Sequence, residues 1–144
     1  LRRVVTSATD DLFEVATAWM QGEGDQSRAG LLDAVRHVVV ERRHHGPVLD
    51  ALDEVAGYDA DIAEYWTARM EGFITVVRAR MERDRDLGRL PEGVDVAETA
   101  HMLAWGIERT IGRRVLSASA EDDEGLVRTV ARAIWSALYG PGWS

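Results

Sequence analysis

The chain contains no cysteine, and none of its basic residues is lysine. The first absence excludes disulfides, thiolate nucleophiles and cysteine-bound zinc, and is compatible with a reducing compartment. The second leaves all 17 basic residues as arginine, which we read as compositional bias that happens to supply planar, bidentate donors. Long apolar runs are missing too. No stretch nears the roughly 18 uncharged residues of a membrane span. The opening Leu1-Arg2-Arg3-Val4-Val5 turns polar too soon for a signal peptide. Proline is scarce and apolar residues interleave with charged ones, which argues against a disordered chain. No glycine-rich phosphate loop, nucleophile elbow or HExxH pattern is present, and no cofactor motif stands out. No spacing singles out a Ser-His-Asp set, although such sets are defined by geometry rather than by order in the chain.

What is present suits one domain over residues 1–144, 46% hydrophobic and 29% charged, apolar enough for a real core. The net charge of −8 makes a poor grip on nucleic-acid phosphates, so any contact with DNA is expected from outside these residues. With leucine at position 1, the chain is expected to be part of a longer protein.

Apolar residues recur at intervals of three and four rather than two, which predicts six helices and no strand. The first, over residues 4–20, carries Val5, Leu12, Val15 and Trp19, with Gly22-Glu23-Gly24 as its stop. Ser27 caps the second, whose stripe is Leu31, Leu32, Val35, Val38 and Val39. It ends in Arg42-Arg43-His44-His45-Gly46, cations at the negative end of the dipole. Pro47 opens the third helix and Gly57 closes it. Asp59 or Asp61 caps a long fourth helix reaching Leu87-Gly88, with the stripe Ile62, Trp66, Met70, Phe73, Val77 and Met81. Its charge-dense tail, Arg78 to Asp86, is expected to project into water. Asp95 with Glu98 resembles a capping box for the fifth helix, which runs to Ser117. The acidic run Glu121 to Glu124 opens the sixth, and Gly140-Pro141 ends it.

Few residues invite chemistry. His37, Glu41 and His44 stand at i, i+4 and i+7, one helical face, as a metal site requires. A solvated face at a helix end, where histidines also suit the dipole, explains the same spacing, so no metal ligand is assigned. His101 is read as an ordinary half-exposed histidine rather than a ligand. Trp19, Trp66, Met70, Phe73 and Trp135 fall on or beside inward stripes of different helices. They suit a solid core, or the wall of an apolar pocket in which methionine adapts to different guests.

Particular strings carry a family resemblance. Ile62-Ala63-Glu64-Tyr65-Trp66 with Met70, Phe73 and Glu82-Arg83-Asp84-Arg85 resembles the long central helix of TetR-type regulators, in the branch of the ethionamide-monooxygenase repressor. Glu108-Arg109-Thr110 is similar to that branch's penultimate helix, and Ile134-Trp135-Ser136-Ala137-Leu138-Tyr139-Gly140 to its ending. The resemblance implies an all-α, six-helix antiparallel sensor bundle of a cytoplasmic transcriptional regulator, generally a repressor and not an enzyme. It implies a homodimer in which helices at 95–117 and 122–139 of two subunits make a four-helix bundle, Gly106 and Gly112 allowing close approach. The family's three-helix DNA-binding head has no counterpart in this sequence, so DNA would be reached only through a domain outside it.

The resemblance further implies a central pocket for an apolar small-molecule effector. Its wall would take Leu12, Val15, Leu31 and Val38 from the first two helices, Trp66, Met70, Phe73 and Val76 from the central one, and Ala104, Ile107 and Trp135 from the last two. Where that branch offers amides, Ala104 and Ile107 offer hydrocarbon, and Leu31 and Val38 replace rings. A greasier pocket of different shape is therefore expected. The alternatives are a stand-alone helical binding module, a helical metalloprotein on His37, Glu41 and His44, and a solid domain that only dimerises.

Overall fold

The computed structural model describes residues 2–141. Among them run six α-helices and no strand: α1 (Arg2–Ala18), α2 (Arg28–His44), α3 (Gly46–Ala56), α4 (Ala60–Asp86), α5 (Val96–Ser117) and α6 (Asp123–Tyr139). A single 3-10 turn, Ala120–Asp122, precedes α6. No helix of the described residues is long and apolar enough to cross a membrane.

The helix starts follow from local chemistry. The Asp59 carboxylate accepts from the amides of Asp61 and Ile62, Asp95 accepts from Glu98, and the Ser27 hydroxyl from Gly30, each satisfying donors that the first turn leaves open. The end of α1 differs from the expectation. The helix stops at Ala18, and Trp19 and Met20 turn inward instead of continuing it. The indole Nε1 of Trp19 donates to the Asp25 carbonyl at 3.0 Å, which folds the loop back over the ring. Gly22 and Gly24, at φ of +86° and +75°, provide the reversal.

Helix α2 lies between α1 and α6, α4 packs along α5, and α3 bridges α1 and α4. The large core joins α2, α4, α5 and α6 through residues such as Val39, Met70, Val77, Ala100, Val127 and Leu138. A smaller cluster of Val5, Ala8 and Leu12 against Leu49 and Leu52 fixes α1 to α3. Thr9 and Tyr65, whose hydroxyls lie 2.6 Å apart, tie α1 to α4.

The tail of α4 corrects the expectation of a solvated end. Arg80 and Asp84 are buried, at 5% and 2% exposure. They fall in register with Phe73, Val77 and Met81, so the inward stripe continues through them. Arg80 donates to Asp84, to the Trp19 carbonyl, to the Gln26 side chain and to the Tyr139 hydroxyl, which donates in turn to Asp84. Its guanidinium also sits 4.3 Å from the centre of the Trp19 ring. The network fastens α4 to the α1–α2 loop and to the last turn of α6.

Candidate functional site

Five helices leave a gap where their apolar stripes converge. Leu12, Phe13, Val15 and Ala16 of α1 face Leu31, Ala34, Val35 and Val38 of α2. Met70 and Phe73 of α4 and Ile107 and Ile111 of α5 close the other side, with Val130 and Ile134 of α6 at one end and Trp19 and Met20 at the turn after α1. The spacing of three and four within each helix aims these side chains at one space. Phe13 and Phe73 meet edge to face, ring centres 6.1 Å apart. The cavity holds about 70 Å³. Pockets that enclose a drug-sized molecule hold roughly 300–1,000 Å³, so in this conformation the walls stand nearly closed.

Of the residues assigned to a pocket from sequence, Leu12, Val15, Leu31, Val38, Met70, Phe73 and Ile107 border this cavity. Trp66, Val76, Ala104 and Trp135 do not. Trp66 packs on the outer side of Phe13, centroid to centroid 5.7 Å, between the two core clusters. Val76 is half-buried against the large core, and Ala104 is wholly buried within it. Trp135 lies against Tyr139 at 4.7 Å and under the Arg28 guanidinium at 5.6 Å.

Two lining residues that sequence reading passed over are polar. Arg42 lines the cavity at 8% exposure, and its Nη2 donates to Asp50 at 2.8 Å. Glu108 lines it from α5. Arg42 Nη1 and Glu108 Oε2 are buried and have no hydrogen-bond partner. The wall is thus not wholly hydrocarbon, as the side chains at 104 and 107 suggested. Register held the signal: Arg42 continues the row of Val35, Val38 and Val39, and Glu108 stands one turn from Ala104 and Ile111.

Burial pushes the Glu108 carboxyl above the ordinary carboxylate range, and Asp53 adds to the rise against the pull of Arg109 and Arg42. A raised folded-state value means the native state holds its proton longer than the unfolded chain, so this residue's contribution falls as pH climbs from about 4.5 through the folded value. Glu108→Gln is therefore expected to be the more stable protein at neutral pH, by about 1 kcal/mol, the scale of a relieved buried charge. The gap closes towards pH 4.5, the value for an ordinary glutamate. Urea midpoints of both proteins across this range read it. Taking the difference cancels Asp25 and Glu124, whose carboxyls are held low by hydrogen bonds from Ser27 and Arg36. Parallel curves would refute the assignment.

The histidine-rich end of α2 is arranged otherwise than its spacing suggested. His45, not His44, turns to the carboxylates: its Nε2 lies 3.0 Å from Asp11 and 3.5 Å from Glu41. Among the described residues, Asp11, Glu41 and His45 form the group whose ligand atoms fall within 4.8 Å of one another. His37 and His44 are exposed and outside it, because position 45 is the one an α-helical turn from Glu41 that faces α1. The trio is a partly solvated clip between α1 and α2. His101 is exposed and away from the cavity.

Residues 31–140 match a family model described as the C-terminal domain of the transcriptional regulator EthR. The match spans the α2, α4, α5 and α6 walls of the cavity, and α1 lies before it. Among curated proteins, none matches the chain.

Proposed function

Because the chain belongs to the family of the EthR C-terminal domain, the regulatory part of a TetR-type transcriptional regulator, we propose that it senses an effector in the cavity between α1, α2, α4, α5 and α6. The observation that carries the reading is the cavity itself: an almost wholly apolar lining drawn from five helices.

The small present volume supplies the mechanism. A ligand larger than the gap must displace Phe13, Phe73, Met20 or Met70, and packed cores respond by discrete shifts of whole elements. Helix α1 packs on α3 through Val5, Ala8 and Leu12 against Leu49 and Leu52, so a displacement of α1 is passed to α3. A helix-turn-helix head joined ahead of α1 would change position in the same step. The ligand biases the equilibrium only by its unequal affinity for the two arrangements. Paired heads need a half-site spacing near one DNA turn, so the shift releases DNA and the regulator acts as an effector-relieved repressor.

Dimerisation is assigned to the outer faces of α5 and α6. Met102 and Leu116 of α5 stand exposed, and beyond the local helix backbone nothing lies within 4 Å of where a Cβ would be at Gly106 of α5 and Gly125 of α6, leaving room for close contact with a second copy.

The test is a titration of the 144-residue chain with n-butylbenzene, read by melting temperature and by tryptophan fluorescence, with Trp19 as the residue in the wall. Saturable quenching is expected, and a stabilisation near 2.7 kcal/mol at a hundredfold excess over Kd. Sedimentation should give the mass of two chains. A flat response to this and to chemically diverse apolar compounds would leave a solid dimerisation domain in its place.

A further inference from the structure

We propose that Arg42 and Glu108 form a polar anchor inside the cavity, selecting an effector that carries a neutral donor–acceptor group, an amide above all, on an apolar body. This deepens the effector-sensing reading and rests on it.

Three observations carry the proposal. Both residues line a cavity whose other walls are hydrocarbon and rings. Each keeps one buried polar atom without a partner, a donor at Arg42 Nη1 and an acceptor at Glu108 Oε2, although most buried polar groups in folded proteins find partners. The two groups also meet at one place. A Cβ added to Gly112 would lie 3.5 Å from Arg42 Nη2 and 3.7 Å from Glu108 Oε1, so both side chains pass over the bare backbone of α5 there. Even so, they form no salt bridge. Arg42 spends its Nη2 on Asp50, and Glu108 accepts from neither Arg42 nor Arg109.

The charge arrangement narrows the chemistry. Arg42 is already paired with Asp50, so a second full negative charge gains little there and stands close to Glu108. An ammonium would suit Glu108 and meet the Arg42 guanidinium. Hydrocarbon leaves both atoms unpartnered. An amide presents a carbonyl to Arg42 Nη1 and an N–H to Glu108 Oε2 and brings no charge.

The experiment compares four ligands built on one phenylbutyl frame, n-butylbenzene, 4-phenylbutanamide, 4-phenylbutanoate and 4-phenylbutylammonium, on the 144-residue chain at pH 7, by fluorescence and melting temperature. The hydrocarbon is the most hydrophobic of the four, so burial alone ranks it first. The anchor ranks the amide first, by about tenfold or more over each of the others, equivalent to ~1.4 kcal/mol. Glu108→Leu should erase that advantage, lowering the ratio of amide to n-butylbenzene affinity by about tenfold. It removes an unpartnered buried carboxylate, so it is expected to fold. Arg42→Met should do the same where it folds. Equal affinities for hydrocarbon and amide would overturn the anchor and leave the cavity reading standing. So would a tightest ligand that is an acid or an amine, or an amide preference that survives Glu108→Leu. Binding of none of the four would overturn the cavity reading and the anchor with it.

Discussion

Asp84→Ala is expected to remove about 3–5 kcal/mol of stability, because it leaves a buried arginine without its counter-charge. Asp84 and Arg80 are 2% and 5% exposed, and the Asp84 carboxylate accepts from Arg80 Nε at 3.0 Å and from the Tyr139 hydroxyl at 2.9 Å. A domain of this size is commonly stable by only about 5–15 kcal/mol, so the loss is a large fraction of the whole. It should also loosen the α1–α2 loop, since Arg80 holds the Trp19 carbonyl and Gln26 through the same guanidinium. Arg78 and Glu82 form a pair of equal spacing on the same helix, but with side chains 55% and 42% exposed. Glu82→Ala is expected to cost less than about 1 kcal/mol, as solvent screens that pair. The double change Arg80→Met with Asp84→Leu should recover much of the loss, because removing both charges removes the desolvation as well as the attraction. Urea unfolding of the three variants and the parent reads these differences. An Asp84→Ala protein within about 1 kcal/mol of the parent would show that the network adds little beyond packing.

That same pair marks where the sequence misleads. Helix starts are legible because a cap is a local event: Asp59, Asp95 and Ser27 each satisfy amides two or three residues ahead, and nothing distant intervenes. The α4 tail is not legible by composition. Its charge density suggests solvent, whereas the register of Arg80 and Asp84 with Val77 and Met81 places them inside. The end of α1 depends on the Asp25 carbonyl reaching the Trp19 indole, a contact no spacing announces. The cavity lies between these cases. Periodicity identifies the inward face of each helix, and seven of the eleven wall residues that the resemblance implied border the gap. It does not tell which inward residues meet empty space and which meet another side chain. Ala104 and Trp135 face inward or beside the core and end against neighbours. Arg42 looks like a dipole partner, and Glu108 enters only as part of a family-like string, until α2 and α5 are placed side by side.

Val38→Phe is expected to weaken n-butylbenzene binding by about ten- to a hundredfold while the domain stays folded. Val38 touches both core clusters and borders the cavity, so an added ring has the void of about 70 Å³ to enter. In the free protein the ring occupies space that was empty, and the usual penalty for overpacking is largely avoided. In the complex the same ring competes with the ligand, and the penalty returns in full. Overpacking costs roughly 1–3 kcal/mol, and each ~1.4 kcal/mol is tenfold in Kd. Val76→Phe and Trp135→Ala, at residues outside the lining, serve as controls and should leave the ligand's Kd within about twofold where they fold, since sites without shared contacts act independently. The comparison separates two readings of the aromatic residues. If Val38→Phe binds like the parent while Trp135→Ala loses the ligand, the binding space lies beside α6 and opens only in an arrangement unlike this one. If the order is as expected, the narrow gap between α1 and α2 is the ligand site. Opening it then strains the contact of Val5, Ala8 and Leu12 with Leu49 and Leu52, which joins α1 to α3.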